Sequence, residues 1–154
     1  MGVSWSAIVW AGFVASILSA CVFWLFRSFQ LTQFSPTTQL GCLLFREPNV
    51  PLTETVGFLL FLALGVSLVP AAYALVLAVL GGPGWATGML AGVVHGSGAV
   101  AALPLLARAS RCIREERFPA PGRFGLSWGQ ATPVAMVAGH AAYGGIVGGV
   151  LGAF

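Results

Sequence analysis

The sequence predicts an all-α integral membrane protein: four transmembrane helices with a short interfacial helix after the first. Three observations predict it. Of the 154 residues, 58% are hydrophobic and 7% charged, and a soluble domain of this size lacks the polar surface to cover so much apolar side chain. Four apolar stretches each approach the ~20 helical residues that cross about 30 Å of hydrocarbon. All the basic residues are Arg, and they fall in two stretches: Arg27 and Arg46, then Arg108, Arg111, Arg114, Arg117 and Arg123.

The first span is expected over about 5–26. It has no basic leader and its apolar run is too long for a cleaved signal peptide, so it is expected to remain as a span. The opening Met-Gly with Ser6 formally matches a myristoylation pattern, which reads as accidental beside a span. Next comes "SPTTQLGCLLF", with Ser35 as an N-cap and Pro36 at the first helical position, predicting an interfacial helix over about 36–45.

The second and third spans, about 56–80 and 85–106, are joined by "GGPG", which allows only an antiparallel helical hairpin. "ARASRCIREERF" is then expected to carry the third helix into water, with Arg111 and Glu115 paired at i, i+4, before "PAPGRFG" breaks it. The fourth span is expected over about 132–154. The whole chain, 1–154, reads as a single membrane domain.

With four spans, both Arg-bearing loops fall on one side, and the positive-inside rule makes that side cytoplasmic. Both termini are then periplasmic, in a bacterial inner membrane. Trp5, Trp10, Trp24, Trp85 and Trp128 are all expected near span ends, in the headgroup zone. The net charge of +3 reports this topology and gives no argument for nucleic acid as a partner. The expected partners are the lipid bilayer and other membrane subunits. Cys21, Cys42 and Cys112 are odd in number and form no CxxC, so they read as free thiols, with no zinc site.

Polar residues inside the spans are the candidate functional residues. His95 lies about 16 Å, and His140 about 12 Å, from the cytoplasmic ends of their helices, nearly the same depth. Gly88, Gly92, His95 and Ala99 share one helix face, and His140, Gly144, Gly148 and Gly152 repeat every four residues on another. Such small-residue stripes predict the third and fourth helices pressed together, closing the slot that a haem held between two histidines needs. A bacteriochlorophyll or haem ligated from one side, by His95 or His140, remains open. The alternative is that each His is packed and hydrogen-bonded to a neighbouring carbonyl, Ser97 or Tyr143. Pro70 should kink the second span, as a hinge or as a kink filled by a neighbour. Glu54 is expected to be solvated at the interface.

No nucleophile has a base at recognisable spacing, and paired carboxylates and phosphate loops are absent from the sequence, so an enzyme is not expected. The motifs "VVHGSGAVAALPLL" and "GHAAYGG" resemble a group of small uncharacterised bacterial four-span inner-membrane proteins. In that group His-Gly begins the third helix and Gly-His-x-x-Tyr-Gly opens the fourth. The resemblance implies roles for His95, Gly96, Gly139, His140, Tyr143 and Gly144, and implies no activity. The second span departs from it, having only Ser67 and Tyr73 as polar residues, which argues against a ligand cage that includes this helix. The expected function is an accessory or scaffold subunit of a membrane complex, photosynthetic or respiratory. A pigment- or haem-binding protein is the alternative, and a small transporter hinged at Pro70 the third.

Overall fold

The computed structural model describes residues 4–154. Helix makes up 76% of the chain, leaving only connections between helices; among the described residues there is no strand. The elements are α1 (Trp5–Ser28), α2 (Pro36–Gly41), α3 (Pro51–Ala63), a π-helical turn (Leu64–Leu68), α4 (Val69–Val79), α5 (Trp85–Ala109), α6 (Arg111–Arg114), a 3-10 stretch (Arg123–Trp128) and α7 (Thr132–Gly152). Four helices are long and apolar enough to cross a membrane, the second being Pro51–Val79 with the π turn inside it. They suit a multi-pass protein in a lipid bilayer. The Met-Gly of the myristoylation pattern lies outside the described residues.

The second span starts earlier than expected, at Pro51, where proline's missing N–H costs nothing because a first-turn N–H has no helical partner anyway. α2 is shorter than expected and ends at Gly41. Its Ser35 cap is present, the side chain accepting from the Thr38 N–H at 3.3 Å. α4 closes on Gly81, whose φ of 96° suits glycine, while the Gly82 N–H reaches back to the Leu77 carbonyl.

Pro70 acts on the backbone before it. Within the π turn the Val69 N–H donates to the Leu64 carbonyl, five residues back. Gly65 therefore loses the donor that an α-helix would give it. The next donor in the π register would be residue 70, and proline has no N–H. The Gly65 carbonyl is left open, and the Tyr143 hydroxyl donates to it at 2.6 Å. Pro70 is thus accommodated by a neighbour's side chain.

The chain forms two compact units. One comprises the chain up to Val22, Leu62–Gly96 and Val137–Phe154. Its core includes Ala11, Ala15, Tyr73, Tyr143, Val147 and Leu151. Small residues on α1 let it approach the π turn: a Cβ on Gly12 would stand 2.6 Å from Pro70 Cγ. Ser19 donates to the Gly139 carbonyl at 3.0 Å.

The other unit comprises Phe23–Phe61 and Ser97–Met136. Here three expectations are corrected. The third helix does not run on into water: Ser110 is extended (φ −68°, ψ 123°), and the Arg111 N–H donates to the Cys42 carbonyl at 2.7 Å. Glu115 consequently pairs with Arg46 at 3.1 Å, while Arg117 pairs with Glu47 at 3.4 Å. Cys42 and Cys112 are not free thiols but a disulfide, with Cα atoms 5.4 Å apart and 70 positions between them; only Cys21 is free. Trp128 lies four residues before α7, near a span end as expected, but it does not present its indole to the surroundings. It is buried, stacked on Phe34 at 5.8 Å, and its indole N–H donates to the Pro119 carbonyl at 2.8 Å.

Candidate functional site

The site is built by glycine. A Cβ on Gly88 would lie 2.9 Å from Gly148 Cα, one on Gly92 would lie 2.8 Å from Ala141 Cα, and one on Gly144 would lie 3.0 Å from Gly92 Cα. No real side chain tolerates such distances, so α5 and α7 run backbone to backbone along these residues. Gly92 rests on the His140 backbone, and His95 is three residues further along its helix. That register brings the two imidazoles together, with ring centroids 4.6 Å apart and planes at 78°. Gly96 is buried, and Gly152 sits beside the Pro83 carbonyl.

The second span contributes as well. Tyr73 of α4 shares a hydrogen bond with His95 Nδ1 at 3.1 Å, and its ring meets that of Tyr143 edge-on at 5.5 Å. The sequence argues against a ligand cage that includes this helix; the structure gives the helix a hydrogen-bonding role, through Tyr73 on His95. A signal was present: Pro70, Tyr73 and Leu77 recur at i, i+3 and i+7, and all three are buried on one face. The hydroxyl that reaches His95 belongs to Tyr73, while the Tyr143 hydroxyl is engaged with the Gly65 carbonyl.

The resulting string, Tyr143, Tyr73, His95 and His140, is a run of aromatic rings in contact. The imidazoles are in contact, which decides one ligand geometry. A metal ligated in trans by both rings, at ~2.0 Å from each nitrogen, would hold their centroids about 6 Å apart. At 4.6 Å there is no space for it. His95 nevertheless remains exposed while its Nδ1 is engaged, and a hydrogen bond of this kind is what orients an imidazole whose other nitrogen meets a ligand. Among the described residues no three of His, Cys, Asp and Glu gather as metal ligands would.

In the second unit Glu54 is exposed and accepts from Thr38 at 3.2 Å, anchoring α2 to the start of α3. Gly41 and Gly57 make that contact close: side chains there would run into the backbones of Thr53 and Thr37. The disulfide was legible only indirectly, since two cysteines occupy two loops that a four-span topology puts on one side. Comparison of the chain with family models, curated proteins and solved structures finds no match.

Proposed function

We propose that this protein is a non-catalytic accessory or scaffold subunit of a larger membrane complex in a bacterial inner membrane. The observation that carries the reading is His95. It stands ~15 Å along α5 from Trp85, deep in a spanning helix, and is exposed at the surface of the chain while Tyr73 fixes its ring. Ionisable side chains inside a bilayer face protein or a polar cavity, because hydrocarbon offers them no hydrogen bond. A partner helix that covers His95 and bonds its free edge meets that requirement. The second span adds support: only 17% of its apolar window is buried, against 50% in the fourth, so most of its apolar surface is available to other subunits or lipid.

The proposal keeps the Arg-bearing loops in the cytoplasm and both termini in the periplasm, on the arginine asymmetry. It also keeps kinship with the four-span group that the His-Gly and Gly-His-x-x-Tyr-Gly motifs resemble. Isolation of the tagged protein from native membranes in mild detergent tests it. Stoichiometric partners are expected, and His95→Leu should release them while the protein itself stays folded. Recovery of the protein alone would refute the subunit reading.

One-sided ligation of a haem or bacteriochlorophyll by His95 is the second reading, favoured by the Tyr73 bond that orients its ring. It requires an absorption band in the purified protein that His95→Leu abolishes. A transporter hinged at Pro70 has less support, since Tyr143 ties down the backbone that a hinge would have to move.

A further inference from the structure

An open surface cavity of about 340 Å³ lies in the second unit, lined by Leu44, Phe45, Arg46, Glu47, Val50 and Arg111. We propose that it binds the phosphate of an anionic phospholipid, with Arg46 and Arg111 holding the headgroup and Leu44 and Val50 meeting the start of the acyl chains.

Its position in the chain sets its depth. Arg111 lies two positions after Ala109, the last residue of the α5 span, and Val50 immediately precedes Pro51, where the second span begins. Both walls therefore lie within a turn or so of hydrocarbon, at the level of lipid headgroups.

The walls are also fixed. The Arg111 N–H bonds the Cys42 carbonyl and two ion pairs cross between the same segments, and in the oxidised protein the Cys42–Cys112 disulfide joins them covalently as well. A site held this way needs little ordering when a ligand enters.

The charges suit an anion. Glu47 faces the cavity but is matched by Arg117 outside it. Arg46 spends its Nε on Glu115 and retains four further N–H donors, and Arg111 forms no ion pair among the described residues. The exposed Leu44 and Val50 beside these cations distinguish a lipid from a soluble phosphate, which has no use for an apolar rim.

Native mass spectrometry of the delipidated full chain, with equal phosphatidylglycerol and phosphatidylcholine, tests the site. Phosphatidylglycerol adducts should dominate, and Arg111→Gln should weaken that preference about fivefold, the effect of one Arg near an anionic lipid. Arg123→Gln, an equal loss of charge elsewhere in the unit, should leave it unchanged. Val50→Glu, at an exposed rim position, should weaken it as Arg111→Gln does and serves if that variant does not fold. Equal adducts of the two lipids, or equal effects of Arg111→Gln and Arg123→Gln, would overturn the proposal. Displacement of phosphatidylglycerol by inorganic phosphate at matching concentration would also overturn it, identifying a soluble phosphate as the ligand.

Discussion

The Tyr143 hydroxyl donates to the carbonyl of Gly65, 78 positions away, at 2.6 Å. The bond exists because Pro70 cannot donate one of its own. Tyr143→Phe should therefore cost about 1 kcal/mol, the scale of interhelical hydrogen bonds in membranes. Pro70→Ala restores an N–H to the helix, so Tyr143→Phe in that background should cost measurably less. A double-mutant cycle on unfolding in detergent micelles checks this. Additive costs would mean that the proline and the tyrosine are energetically independent.

The glycine contact makes a contrasting pair of predictions. Gly88→Ala puts a methyl into the α7 backbone and should destabilise by about 1–3 kcal/mol, as overpacking does. Gly98, on the same helix, has nothing within 4 Å of an added Cβ, and Gly98→Ala should stabilise by up to about 1 kcal/mol through helix propensity. Thermal unfolding of the two variants side by side should move in opposite directions.

Gln39 is buried with neither its amide oxygen nor its nitrogen bonded, and an unsatisfied buried group costs about 1–3 kcal/mol. Gln39→Met keeps the length and removes the polar atoms. It should raise stability by about 1 kcal/mol; an equal loss would show that the amide has partners in solution, such as bound water.

Orientation and redox state can be read together. A phosphatase fused after Phe154 should be active and a fluorescent protein there dark, with the arginines retained in the cytoplasm. The loops then meet a reducing compartment, so acid trapping of cells should recover Cys42 and Cys112 as thiols, which bond once the protein is purified in air. The reverse fusion pattern would move the loops to the oxidising side. In either case Cys42→Ala with Cys112→Ala should lower the stability of the oxidised protein by about 2 kcal/mol.

Much of this fold was legible in one dimension, because a span, a glycine turn or a proline-started helix depends on residues close together in the chain. Hydropathy marked the four spans, "GGPG" the hairpin, and Ser35 with Pro36 the start of α2. The four-residue repeat of glycines likewise set out the faces that meet between α5 and α7. What the sequence could not carry was the choice of partner for side chains that have several. Tyr73 rather than Tyr143 reaches His95, Glu115 turns from Arg111 to Arg46, and Trp128 buries its indole against Phe34 and Pro119. Each of those depends on which segments pack side by side, and a break such as the extended Ser110 redirects everything after it. Local pattern determined the elements; the Tyr143 bond that satisfies the π turn, the disulfide and the string of tyrosines and histidines were decided by tertiary contact, since they join residues dozens of positions apart.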